Sequence, residues 1–172
     1  MTIRAFIDAS QEWWIPLTEE LHKTYNWDFL LWTGRKQLQA SVKEILPETF
    51  FLENSLAHRA VFPEDGPKVP ELQPLSPNFL DQHALEIHQM YYMMDRNAHH
   101  NAYTYMERWH HLRKVFTYWN GLLDYYQPDV LVVSGITCAV YDYPLYVLCQ
   151  WRNIPTLIFD YSTFKGRVLP MP

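Results

Sequence analysis

An α/β fold, with helices on both faces of a mostly parallel sheet, is the architecture this sequence predicts, and three observations carry that expectation. Short apolar runs without polar alternation recur at 4–8, 27–32, 130–133 and 156–159, as strands covered on both faces require. Helical periodicities fall between them, so strands and helices alternate in the order that parallel pairing needs. The 172 residues are 48% hydrophobic and 19% charged, enough to bury a sizeable core.

Arg4-Ala5-Phe6-Ile7-Asp8 and Trp27-Asp28-Phe29-Leu30-Leu31-Trp32 are rich in aromatic and branched residues and read as the first two strands. Between them Ser10 is placed to cap a helix reaching about residue 25, with Pro16 kinking it or sitting in its first turn. Leu38, Val42, Ile45 and Leu46 share one face of a helix over 36–46, stopped by Pro47, and Thr49-Phe50-Phe51-Leu52 reads as the third strand. Five of the twelve prolines lie between 63 and 78, which predicts a long loop within one domain covering 1–172. Helices follow at about 79–96 and 102–126. In the second, Tyr105, Trp109, Leu112, Phe116, Trp119, Leu123 and Tyr126 step by four and three, giving one apolar stripe. Val130-Leu131-Val132-Val133 is the plainest buried strand, the loop Ser134-Gly135-Ile136-Thr137 follows it, 143–151 reads as a helix, and 156–159 as the last strand. The sum is a Rossmann-like three-layer αβα arrangement, with Phe6, Phe29, Phe51, Leu131, Val133 and Ile158 expected in the core.

Several function classes are disfavoured. Net charge is −5 and the 14 Lys and Arg residues are scattered, so no nucleic-acid footprint is expected. No stretch reads as a membrane span and the first residues lack a signal pattern, which predicts a cytoplasmic protein. Cys138 and Cys149 form no Cys-x-x-Cys pair and are expected to be buried free thiols. The first strand leads into Asp8-Ala9-Ser10-Gln11-Glu12 rather than Gly-x-Gly-x-x-Gly, and neither a phosphate-binding Gly-x-x-x-x-Gly-Lys loop nor a Gly-x-Ser-x-Gly elbow occurs. Six of the eight histidines fall between 83 and 111, Glu107 and His110 make one Glu-x-x-His unit, and His99, Glu107 and His111 could share a helical face. A carboxylate-bridged di-iron bundle needs two such units, so no metal is expected.

In open parallel sheets, ligands bind outside the carboxyl ends of the strands. That rule selects Ser10 and Gln11, then Thr33, Gly34 and Arg35, then Glu53 and Asn54, and finally 134–142 and 161–167. Within this set Ser10, Gln11, Gly135, Thr137, Tyr141, Asp142, Tyr143, Thr163, Lys165 and Arg167 are the candidate ligand-binding residues. Their hydroxyls, rings and helix-start N–H groups suit a hydroxyl-rich or anionic ligand, and Lys165 and Arg167 would supply charge for a phosphate. Asp8, Glu53 and Asp142 are candidate general bases by position, none of them assigned as catalytic.

Tyr126-Gln127-Pro128-Asp129-Val130-Leu131-Val132-Val133, followed by Tyr141-Asp142-Tyr143-Pro144-Leu145-Tyr146-Val147-Leu148-Cys149 and Asn153-Ile154-Pro155-Thr156-Leu157-Ile158, resembles the last β-α-β unit of a known class of domain. The class is the N-terminal half of two-domain GT-B glycosyltransferases and related capsular or surface polysaccharide biosynthesis proteins. Met94-Asp95-Arg96 and Gly166-Arg167-Val168 are similar to elements of the same proteins. The resemblance implies a Rossmann-like, acceptor-side domain that takes a sugar or sugar-phosphate acceptor. It implies no cofactor in this domain, because a C-terminal domain or partner chain would hold the nucleotide-sugar donor, and the domain alone would bind without turnover. The glycine-rich loop many such proteins carry after the first strand is absent here. A stand-alone Rossmann-like module that binds a small ligand or a partner without catalysis is the other reading.

Overall fold

A computed structural model describes residues 2–64, 66–69, 72–97, 103–161 and 168–171. In chain order its elements are β1 (Ile3–Asp8), α1 (Trp14–Tyr25), β2 (Trp27–Gly34), a 3-10 turn (Lys36–Leu38) running into α2 (Gln39–Ile45), β3 (Phe50–Glu53) and α3 (Asn54–Arg59). There follow α4 (Pro77–Gln82), α5 (Ala84–Asn97), α6 (Tyr105–Tyr126), β4 (Val130–Val133), α7 (Asp142–Trp151), β5 (Thr156–Tyr161) and β6 (Val168–Met171).

The strands form one sheet in the order β3-β2-β1-β4-β5-β6. The first five run parallel, and β6 pairs antiparallel with β5 at the edge. Apolar residues at successive positions of a strand point to opposite faces, so each unalternated run feeds two cores. Ala5, Ile7, Val130 and Val132 face α1 and α2, against Trp14, Leu38 and Val42. Phe6, Leu131 and Val133 face the other helical layer, where Phe116 and Trp119 of α6 and Leu145 and Leu148 of α7 close over them. The mostly parallel α/β sheet with helices on both faces is thus the observed architecture.

The longest helix starts with a capping box. Glu107 N–H donates to Thr104 Oγ1 at 3.3 Å, and Thr104 N–H donates to Glu107 Oε2 at 2.7 Å. The helix ends at Gln127 in the left-handed conformation, φ 47°. Its Gly121 lies under the proline-rich segment, where an added Cβ would stand 2.2 Å from Leu72 Cδ2. A glycine there is what lets that segment lie flat on α6.

Several expectations give way. Ser10 caps no helix, since α1 begins four residues later without a side-chain cap and carries Pro16 in its first turn. The expected helix over 79–96 is two helices that break at His83, the first opened by Ser76, whose Oγ accepts from Phe79 N–H at 3.2 Å. The short α3 and the edge strand β6 were not anticipated. Ile158 is only half-buried, being on the strand next to the sheet edge. Tyr105 is 61% exposed, so the apolar stripe of α6 runs one turn past the core. Of the two free thiols Cys149 is buried, but Cys138 is exposed on the loop after β4. Among the described residues no helix is long and apolar enough to cross a membrane.

Trp119 is fully buried between α6 and the sheet. Trp119→Ala is expected to destabilise the fold by about 3–5 kcal/mol, read from urea unfolding. A loss below about 1 kcal/mol would mean that the ring is not part of a packed core.

Candidate functional site

The connection from β3 to β4 carries the chain from the α1–α2 face to the opposite one, so the winding of the sheet reverses at β1. The carboxyl ends of β1 and β4 are therefore the place where open parallel sheets hold ligands. Asp8, the last residue of β1, lies there with 7% exposure. Its backbone carbonyl accepts from Ser134 N–H at 2.9 Å, which ties the two strand ends together. Ala9, next in the chain, is clamped. Its N–H donates to the Thr33 carbonyl at 2.9 Å and its own carbonyl accepts from Trp32 Nε1 at 2.9 Å. A Cβ at Gly34 would come within 2.7 Å of that carbonyl, so glycine is needed for the approach.

Tyr141 reaches back from the start of α7, and its hydroxyl donates to Asp8 Oδ1 at 3.3 Å. Asp142 folds its loop closed, with Oδ1 accepting from Ala139 N–H at 2.7 Å. Burial pushes Asp8 up to about 8, the Asp142 charge adds to the rise, and the Tyr141 hydrogen bond opposes it. Asp142 is pushed up to about 6 by burial, against backbone N–H donors led by Ala139 that favour its charged form. Burial and then the two carboxylates drive the Tyr141 phenol far above its ordinary value. At neutral pH Asp8 therefore mostly holds a proton, Asp142 is mostly ionised, and Tyr141 stays a neutral donor.

On its other side the Tyr141 ring meets His58 edge to face, with centroids 4.5 Å apart. His58 belongs to α3 and opens onto a cleft of about 520 Å³, walled also by Arg59, His111 and Arg108. That is the size of a small-ligand site. His58 is held below its usual imidazole range by burial and then by His111, and His111 by burial, opposed by a hydrogen bond to the His58 backbone. Arg59 Nε donates to the Ser55 carbonyl at 3.1 Å, and Arg108 Nε to the Tyr103 carbonyl at 3.2 Å. Glu107 also lines the cleft, but its carboxylate is committed to the Thr104 cap, which holds it below the ordinary carboxylate range. The lining balance is cationic. Among the described residues no three His, Cys, Asp or Glu side chains are grouped to hold a metal ion.

Of the ligand-binding residues selected from sequence, none of the described ones lines this cleft: Tyr141 packs behind His58 and donates to Asp8, and Asp142 closes the loop beside it. Ser10 Oγ accepts from Asn54 Nδ2 at 3.0 Å across the ends of β1 and β3, while the buried oxygens Gln11 Oε1 and Asn54 Oδ1 have no hydrogen-bond partner among the described residues. Gly135 has φ 155° and open space where a Cβ would be, and Thr137 is buried. Tyr143 packs into the helical core beside Tyr146, its phenol raised by burial and then by Glu86 of α5. Glu53 ends β3, two strands from Asp8, and accepts from Ser55 Oγ at 2.6 Å. Thr163, Lys165 and Arg167 lie outside the described residues, as does His99.

Sequence reasoning missed His58 and Arg59 as site residues, and weighed His111 only as a metal ligand. The carboxyl-end rule would have reached His58 and Arg59 had the loop after β3 been followed six residues past Glu53. Compared with family models and with curated proteins, the sequence matches none. Geometry and chemistry carry the functional reading.

A carboxyl whose folded pKa exceeds its unfolded one binds more protons folded than unfolded, so stability falls as pH rises through that window. For Asp8 the window runs from 3.8 to about 8. Asp8→Asn, which keeps the acceptor for Tyr141, is expected to stabilise the fold at pH above 7 by roughly a few kcal/mol. Its advantage should shrink as the pH approaches 4. Unfolding curves of parent and variant that run parallel across the window would show that Asp8 is ionised in the folded protein.

Proposed function

We propose that this chain is the acceptor-side domain of a glycosyltransferase-like protein of surface polysaccharide biosynthesis. The cleft between α3, α6 and the loop after β4 binds the anionic end of a hydroxyl-rich acceptor such as a sugar phosphate. One observation carries the reading: two guanidinium and two imidazole side chains wall a cleft of small-ligand size beside the carboxyl ends of the strands. Guanidinium groups pair with phosphate oxygens through parallel N–H donors, and imidazoles that stay neutral at pH 7 exchange hydrogen bonds with sugar hydroxyls. The resemblance of residues 126–158 to GT-B N-terminal halves supports the same assignment.

In this reading the base is His58 rather than a carboxylate. Asp8 mostly carries its proton and stands behind Tyr141, whereas His58 faces the cleft with its imidazole neutral. It takes the proton of the acceptor hydroxyl as that oxygen attacks the anomeric carbon of the donor sugar, and the nucleotide leaves with the bonding pair. A C-terminal domain or a partner chain brings the donor, so this domain alone binds without turning over. The shielding of Asp8 also suits the second reading, a small-ligand-binding module without catalysis, which would bind in the same cleft and remain inert when a donor-binding partner is added.

Titration with glucose 1-phosphate, followed by amide chemical shifts, is expected to move His58, Arg59, His111 and Val140 saturably. Arg59→Gln should weaken binding roughly tenfold or more, the loss of one charge-assisted hydrogen bond. Anion binding favours the protonated imidazoles, so affinity should rise as pH falls below the usual histidine value of 6.5. Absence of saturable shifts at millimolar ligand, or an affinity that does not change with pH, would rule this cleft out as the anion site.

A further inference from the structure

The cleft ends at the first turn of α6, and a second cavity of about 320 Å³ opens on the far side of that turn, between α4, α5 and α6. Ile87 and Trp109 form its apolar part, Tyr91, Tyr105 and His88 its aromatic walls, and Asp81 its acidic edge. The Tyr91 and Tyr105 rings stand 4.9 Å apart, inclined at 49°. Core packing does not account for Tyr105, which is 61% exposed although it begins the apolar stripe of α6. Arg108 connects the two cavities: it lines the first, and its guanidinium carbon lies 5.4 Å from the centroid of the Tyr91 ring, which lines the second.

Aromatic faces beside hydrogen-bonding groups suit a pyranose, which offers C–H faces to rings and hydroxyls to acceptors. Among the described residues the Asp81 carboxylate and the Tyr91 and Tyr105 hydroxyls have no hydrogen-bond partner, so all three are available to sugar hydroxyls. An apolar peptide would desolvate Asp81 without pairing it, and an anionic group would meet its charge. We propose that this groove is a second subsite, stacking a neutral sugar ring of the acceptor whose anionic end occupies the first cleft. The proposal rests on the reading of that cleft and deepens it, because the acceptor becomes an oligosaccharide phosphate rather than a single sugar phosphate.

The test titrates the full chain with neutral maltotriose, cellotriose and chitotriose in one arm and with glucose 1-phosphate in the other. Tyr105→Ala and Asp81→Asn change exposed side chains and leave the core intact. Expected are saturable shifts at Tyr91, Tyr105 and Trp109 with at least one trisaccharide. Tyr105→Ala should weaken that binding roughly threefold to tenfold and leave glucose 1-phosphate affinity unchanged. The subsite is overturned if no trisaccharide moves these residues, or if Tyr105→Ala leaves trisaccharide affinity as it was. The two readings fail separately. Groove shifts with trisaccharides but none at His58 or Arg59 with glucose 1-phosphate support the subsite and remove the anion cleft, while the reverse pattern removes the subsite alone.

Discussion

The central strand β1 is hydrogen-bonded in parallel along both edges and covered on both faces, and the geometry of the candidate site depends on that confinement. Asp8 is level with Thr33 of β2 and Val133 of β4. A shift of one residue would exchange Phe6 and Ile7 between two packed faces, so the register cannot slip. An ionisable side chain is therefore held at a depth where its charged form is poorly solvated, and the molecule responds by keeping the proton on it and donating to it from Tyr141.

Tyr141 stands between the buried Asp8 and His58, which lines the cleft. One end of the side chain satisfies Asp8, and the ring supports His58. Its position follows from the loop that Asp142 closes through Ala139, so the electrostatics behind the cleft and the shape of its wall have a common origin.

Most of the fold was legible because buried parallel strands leave unbroken apolar runs, as at Val130-Leu131-Val132-Val133, and long helices leave a stripe, as from Trp109 to Leu123. What escaped was short or contextual. A helix of six residues, Asn54–Arg59, is too brief to show a period and opens without a side-chain cap. Strand β6 contains Pro170 and exists through its pairing with β5. Of the candidate site, the carboxyl-end rule reached Asp8, Tyr141 and Asp142, which lie within a few residues of predicted strand ends and stand behind the cleft rather than in its lining. It did not reach His58, which rides on the unseen α3, or Arg108 and His111, which the chain brings to the cleft from the middle of the sequence. Tyr141 and Tyr143 are two residues apart at the start of α7, about 200° around a helix, so one turns to Asp8 while the other packs beside Tyr146.

The contrast between the two cysteines has a practical side. Burial raises the Cys149 thiol to about 12, and reagents that attack thiolates find almost none there at neutral pH. Cys138 is exposed on the loop that delivers Tyr141. The unmodified protein thus carries a chemically selective attachment point on the loop after β4. A fluorophore or spin label coupled there would follow the position of the loop in solution without any cysteine being added or removed.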